Sequence, residues 1–452
     1  MNLKITTPEM ESEQVLEPVS PTGKYLNSSV LSLCVLAVLE AEIPVQDSHY
    51  ATLVEDIFLP INPLFSSIMV ADKNGKHWKK VEVNVKDHIR IPRFPEGKSL
   101  EFYDKYFEDY LSEIALDQLP RSRPLWEIRI IKYPTSKLLY HALGDGYSLM
   151  GALLSCLQRA DDPSIPLTFP AKQSTSKEED MNGSVFKRMS ADLSRALNTV
   201  MDFVRSVMKS SFLEDGQTPI RSGDDNGLRF QPITVTTLTF SLGRIKQIKS
   251  RLNVTVNDVI AGVIFLETRL YMQTASPELG KAEATALVLL NTRVAGGFNY
   301  KHLKEMLKPN AEMPWGNYLP HIESSNPLSF VMKAHQIIKK KRDSAAIYFT
   351  GKLLDILRKF QGAEATAGYI CKTVRNCSVV FTNVIGLREQ MALANQPVKG
   401  LYVAVAGGPE KNLDNLRVAI STKKNLVDSL RFKGCIEEAF DMILNASNQY
   451  TS

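Results

Sequence analysis

Residues 171–184 are almost entirely polar, with Lys177-Glu178-Glu179-Asp180 and Asn182-Gly183 in sequence. Such a composition buries too little apolar surface to order itself. The stretch therefore reads as a linker, and it divides the 452 residues into two blocks. In each block, short runs of alternating polarity give way to runs with apolar residues three and four apart. Strand period followed by helix period on both sides of a linker predicts two mixed α/β domains, each with enough chain for its own core. We expect a first domain over 1–170, a linker plus a helix over 171–230, and a second domain over 231–452. No internal repeat is visible.

In the first block, Phe102, Tyr103, Tyr106, Phe107, Tyr110, Leu111 and Ile114 recur at helical spacing over 102–116, and most of these aromatics are expected in the core. Pro124-Leu125-Trp126 opens a strand over 127–131 that ends at Pro134-Thr135-Ser136. Leu138, Leu139 and Tyr140 make a short return strand, and Trp126 reads as a core anchor. Leu149, Leu153, Leu154 and Leu157 predict a helix before Asp161-Asp162-Pro163. Over 185–213, Phe186, Met189, Leu193, Leu197 and Val200 face away from Lys187, Arg188, Arg195 and Arg205. This basic amphipathic helix suits either a membrane interface or the space between two domains. The second block predicts a strand over 234–241, a helix over 257–272, a strand over 285–290 and a helix over 328–342. Strands over 378–383, 401–406 and 416–421 follow, then a closing helix from Cys435.

Several classes are excluded. A net charge of +5 is mild for this length and falls short of a nucleic-acid binder. The five cysteines are odd in number and form no CxxC pair, which argues against a disulfide framework or a zinc ribbon and for a reducing compartment. No basic start precedes an apolar stretch at the N-terminus, so no secretory signal is expected. The strongest apolar run, 30–39, is about half of the roughly 20 residues that cross a bilayer. Gly97-Lys98-Ser99 has Pro92 where a P-loop needs glycine, Ser148 lacks the second glycine of a GxSxG elbow, and no HExxH suggests a metal.

Chemistry concentrates in Tyr140-His141-Ala142-Leu143-Gly144-Asp145-Gly146. Imidazole titrates nearest neutrality, so His141 can take a hydroxyl proton and return it to a leaving group in one cycle, as acyl transfer requires. Gly144 and Gly146 allow a tight turn, and Asp145 reads as its support. Asn257-Asp258 follows Thr255 as the start of a capped helix, a structural reading that stands beside a functional one. Asn383 could offer an amide to a developing oxyanion.

The ordered set of Pro124-Leu125-Trp126, His141 to Gly146, Asn257-Asp258, Asn291-Thr292-Arg293 and Phe381-Thr382-Asn383-Val384-Ile385-Gly386 resembles the plant wax ester synthase/diacylglycerol acyltransferase family. The resemblance runs from Pro21-Thr22-Gly23-Lys24-Tyr25-Leu26-Asn27 to Cys435-Ile436-Glu437-Glu438-Ala439-Phe440. The HHxxxDG signature belongs to the coenzyme-A-dependent acyltransferase superfamily, and the DFGWG motif of its phenolic and alkaloid branch is absent. The resemblance implies an α/β (α+β) fold of two chloramphenicol-acetyltransferase-like domains with a channel between them. His141 would be the general base and Asp145 the structural aspartate, with Gly146, Asn257, Asp258 and Asn383 as substrate-binding candidates. The implied co-substrate is acyl-CoA, with no metal or other cofactor. A long-chain alcohol or diacylglycerol would be the acceptor, and the site the cytosolic face of the endoplasmic reticulum or the cell membrane, held peripherally. Two departures stand out: the first signature histidine is Tyr140, after a short strand, and a polar loop replaces a strand between 405 and 416. They leave room for a catalytically impaired paralogue acting as an acyl-lipid-binding or regulatory protein, or for an incomplete gene model. Oligomeric state is open.

Overall fold

The computed structural model describes residues 17–19, 24, 28, 34–42, 48–72, 75–115, 117–132, 137–143, 156–165, 215–221, 232–281, 284–289, 315–318, 326–342, 346–382, 390–393, 396–404, 409–411 and 415–450. The expected linker at 171–184 and the basic helix at 185–213 lie outside the described residues.

In the first half the strands are β1 (Glu17–Pro18), β2 (Cys34–Ala41), β3 (Ser67–Asp72), β4 (Gly75–Lys80), β5 (Ile89–Arg90), β6 (Trp126–Ile131), β7 (Lys137–Leu143) and β8 (Leu157–Arg159). The helices are α1 (Ser48–Leu53), which continues as a π turn over Val54–Phe58, and α2 (Leu100–Ile114). The second half contributes β9 (Ile233–Ser241), β10 (Ala286–Leu289), β11 (Trp315–Tyr318), β12 (Val379–Thr382), β13 (Met391–Leu393), β14 (Gln396–Ala404), β15 (Pro409–Lys411) and β16 (Asn415–Lys423). Its helices are α3 (Leu242–Leu252), α4 (Val256–Ala275), α5 (Pro327–Arg342), α6 (Ala346–Asn376) and α7 (Ser429–Gln449).

The largest sheet runs β5-β6-β7-β2-β14-β13-β8. Its middle strand β2 reads CVLAVLEA, apolar at nearly every position, as a strand covered on both faces must be. One face carries Val35, Leu39, Trp126, Ile128, Ile130 and Leu401, packed on Tyr50, Val54 and Phe58 from the helical segment after β2. The other face carries Leu36, Val38, Ile131 and Tyr402, packed on Phe107, Leu111 and Ile114 of α2 and on Val235 and Ala419 of the second lobe. Trp126 is the expected core anchor: it is 3% exposed, its Nε1 donates to the Phe65 carbonyl at 2.8 Å, and its ring stacks on His88.

Three expectations are corrected here. β7 is not a strand of three residues. It extends from Lys137 to Leu143 because β2 and β6 offer ladders on both its edges, pairing Glu40 with Lys137 and Trp126 with Ala142. Leu157 belongs to a strand, opposite Leu393, and not to a helix. The apolar run at 401–406 was expected in the second domain, yet β14 and β13 join the first sheet. There β14 covers the edge of β2 that β7 leaves open, with Leu401 opposite Leu39. In α2, Tyr103, Phe107, Leu111 and Ile114 are buried as the spacing demands, whereas Phe102 and Tyr106 stand 39% and 36% exposed.

The second lobe packs α3, α4, α5 and α7 against the sheets β15-β16-β9 and β11-β10-β12. The missing strand between 405 and 416 is partly present, because β15 pairs with β16 over three residues. Helix α6, absent from the sequence reading, bends at Gly362, where φ of 87° and ψ of 175° fit only glycine. The lobes meet along β9. Its edge N–H groups at Val235 and Thr237 donate to Ser112 Oγ and Glu108 Oε1 of α2, each at 2.8 Å. Beside them Arg417 of β16 forms an ion pair with Glu40 of β2 and lies over the Tyr402 ring at 4.9 Å.

Candidate functional site

His141 lies inside β7, opposite Leu36 on one side and Glu127 on the other. Residues directly opposite in antiparallel strands share a face. Position 141 therefore belongs to the face of the first sheet that α2, Val235 and Ala419 cover, the face turned toward the second lobe. Successive strand residues alternate sides, so Tyr140 belongs to the opposite face with Ala37 and Ile128. The departure from the signature at its first histidine thus falls on the far side of the sheet from His141.

Across from His141, Glu127 is 2% exposed and saturated by guanidinium groups. Arg90 Nε and Arg123 Nη2 reach its Oε2 at 2.9 and 3.0 Å, and Arg129 Nε reaches Oε1 at 2.8 Å. Arg129 also donates to Asp117 Oδ2 and the Tyr110 hydroxyl, each at 3.0 Å. Burial disfavours the charged guanidinium of Arg129, but the Tyr110 hydrogen bond and the carboxylates of Glu127 and Asp117 hold its pKa above the ordinary value. The sequence reading missed this cluster. Arg123, Glu127 and Arg129 were its local trace, but Arg90 and Asp117 arrive from other segments.

Asn257 and Asp258 open α4 in the second lobe. The capping box expected from Thr255 is present: Asp258 N–H donates to Thr255 Oγ1 at 3.2 Å, and Thr255 N–H donates to Asp258 Oδ2 at 2.8 Å. The same Oδ2 also receives His335 Nδ1 of α5 at 2.8 Å, a contact that no sequence spacing announced. Asp145, Gly146, Asn291, Thr292, Arg293 and Asn383 lie outside the described residues. Among the described residues, no group of His, Cys, Asp and Glu could hold a metal ion, and no helix is long and apolar enough to cross a membrane.

Two family models match the chain. Residues 67–260 match the wax ester synthase/diacylglycerol acyltransferase catalytic domain, and residues 319–444 match the WS/DGAT C-terminal domain. The chain belongs to the wax ester synthase/diacylglycerol acyltransferase family. Wax ester synthase/diacylglycerol acyltransferase 7 of Arabidopsis thaliana is 28% identical over 426 residues, covering 86% of each chain. Among solved structures, the wax ester synthase/diacylglycerol acyltransferase of Marinobacter aquaeolei VT8 matches with a TM-score of 0.60 at 15% identity, over 95% of this chain and 99% of that one. The starter condensation domain of rhizomide synthetase RzmA, solved with C8-CoA and Leu-SNAC, matches with a TM-score of 0.54 at 9% identity, over 96% and 94%. The fold is the two-domain, chloramphenicol-acetyltransferase-like architecture that the signature implied. As a member of the WS/DGAT family the protein is an acyl-CoA-dependent O-acyltransferase.

Proposed function

We propose that the protein moves a fatty acyl group from acyl-CoA to the hydroxyl of a long-chain alcohol or of diacylglycerol, with His141 as the general base. The imidazole takes the hydroxyl proton as the oxygen attacks the thioester carbon. The tetrahedral adduct then expels the coenzyme A thiolate, and the imidazolium protonates the departing sulfur. One O–H and one C–S bond break while one C–O and one S–H bond form, so no acyl-enzyme is required. Asp145 supports the turn after β7, and Gly146, Asn257 and Asn383 line the substrate; Asp258, a candidate beside them in the sequence, is instead closed into the Thr255 cap and the His335 contact with its side chain 2% exposed.

The reading rests above all on the register of β7, which gives position 141 a strand paired on both edges and a face directed at the second lobe. That ladder also weakens the alternative of an impaired, purely lipid-binding paralogue, whose main support was a truncated strand. Oily substrates and the basic face over 185–213 favour peripheral attachment to the cytosolic side of the endoplasmic reticulum. We assign the first lobe to 1–170 together with β13 and β14, and the second to the remainder of 231–452.

Purified protein incubated with acyl-CoA and either a fatty alcohol or diacylglycerol is expected to form lipid ester. His141→Ala should lower the rate by about 100- to 10,000-fold, the usual range for a positioned acid or base. Equal ester formation by both proteins would exclude His141 as the base.

A further inference from the structure

We infer that His335 is a positioning residue for this acyl transfer, acting through Asp258 on the first turn of α4 and hence on Asn257. The inference rests on the proposed reading of Asn257 as a residue that meets substrate.

An aspartate at the third position of a capping box needs neither burial nor a histidine, because one backbone N–H satisfies its role. Asp258 has both. Its side chain is 2% exposed, and Oδ2 receives His335 Nδ1 and Thr255 N–H, each at 2.8 Å. A carboxylate oxygen can only accept, so the imidazole donates its Nδ1 hydrogen and its tautomer is fixed. His335 is itself 28% exposed, and Nε2 has no partner among the described residues. The ring is thus committed at one nitrogen to a buried carboxylate and left open at the other, unlike a histidine whose polar atoms are both satisfied in a core.

The contact crosses from one helix to another. α4 and α5 approach closely at Gly262, where even a Cβ would come within 2.7 Å of Val331 Cα. His335 lies one turn beyond Val331, and Asp258 one turn before Gly262. Close approach at the glycine is therefore what brings the imidazole to the carboxylate. Asn257 sits between the capping Thr255 and Asp258, so the residues flanking it are pinned by hydrogen bonds, and one of those pins comes from α5. Loss of the His335 bond leaves Asp258 buried with a single N–H donor. The carboxylate would then turn toward another donor and carry the first turn of α4 with it. A displacement of about 1 Å at a reacting group costs roughly 100-fold in rate.

The test uses the full chain and measures kcat and both KM values per folded molecule, with thermal melts run alongside. His335→Ala is expected to lower kcat by about 10- to 100-fold while the KM for acyl-CoA stays unchanged. His335→Gln, whose amide can donate to Asp258, should recover most of the loss. The double variant with Asn257→Ala should be no slower than the slower single variant, because both act on one element. A kcat for His335→Ala within about twofold of the native value, losses that multiply with Asn257→Ala, or an Asn257→Ala variant of native rate would each overturn the inference. Such a result beside an inactive His141→Ala leaves the acyl-transfer reading standing. Full activity in His141→Ala refutes the base assignment alone, since the His335 series is read against the native protein.

Discussion

Glu267 shows how far a single residue can depart from the pattern around it. α4 is apolar on most sides, with Val263, Phe265, Leu266, Tyr271 and Met272 all buried, so a carboxyl at position 267 is carried inside. It is 1% exposed, Thr268 Oγ1 donates to Oε2 at 3.3 Å, and Oε1 has no hydrogen-bond partner among the described residues. Burial pushes its pKa well above the ordinary carboxylate value, only partly opposed by the Thr268 bond. The native state therefore binds this proton more tightly than the unfolded chain does. Its contribution to stability is fully present below the unfolded carboxyl pKa, about 4.3, and is lost as pH rises toward the raised native value. We expect Glu267→Met to raise the melting temperature at neutral pH, removing a cost of about 1–3 kcal/mol for an unsatisfied buried polar group. The gain should shrink as the buffer approaches pH about 4.5, where the unfolded carboxyl also protonates. Calorimetric melts across that range decide the point, and a gain that grows on acidification contradicts it.

At the scale of helices and strands, two glycines give opposite expectations. At Gly262 an added Cβ meets Val331 Cα and Cγ2 at 2.7 Å and Val331 N at 2.9 Å, so backbone atoms that cannot swing aside receive it. At Gly368, inside α6, a Cβ meets nothing within 4 Å. Alanine improves helix propensity by about 1 kcal/mol at either place, but overpacking costs about 1–3 kcal/mol or more where nothing yields. Gly262→Ala should therefore destabilise and loosen the Asp258–His335 contact, while Gly368→Ala stabilises, as read by urea midpoints at unchanged m. The helices that periodicity could show were legible, including those at 257–272 and 328–342, as was the capping box at Thr255. What escaped depended on partners far along the chain. β7 owes its length to ladders from β2 and β6, β14 joins the first sheet because β2 has a free edge, and His335 meets Asp258 only after α4 and α5 cross at Gly262. α6 was missed because its glycines blur the helical stripe, and one of them, Gly362, breaks it. The position of His141 after a strand was legible, but the face it shares required the register.

At the scale of the molecule, an apolar cluster of Leu36, Val38, Phe107, Leu111 and Tyr402 with Val235 and Ala419 joins the lobes, and polar ties are set into it. Among the described residues, the edge of β9 meets no further strand at Val235 and Thr237. Its N–H groups end on Ser112 and Glu108 of α2, and Glu108 Oε1 also receives Thr237 Oγ1 at 3.1 Å. An edge satisfied by side chains of the other lobe fixes the lobes in register as a strand would, while leaving them separate sheets. The second tie is Glu40 with Arg417, and Arg417 with the Tyr402 ring. Glu40 is 8% exposed in its side chain and Arg417 23%, so water screens the pair only in part. Breaking such a pair by removing one partner is costly because the other charge stays behind, while replacing both by apolar side chains of similar size is often neutral or stabilising. Glu40→Met alone should lower stability by about 2 kcal/mol, below the 3–5 kcal/mol of a fully buried pair because Arg417 retains some solvent. Arg417→Met alone should cost more, since it leaves behind the more buried member, the Glu40 carboxylate, and the double variant should regain most of what either single variant loses. A double-mutant cycle in denaturant gives the coupling directly. If the two losses simply add, the ion pair is not a tie between the lobes, and the β9 edge bonds of Ser112 and Glu108 must hold the register of the face that carries position 141.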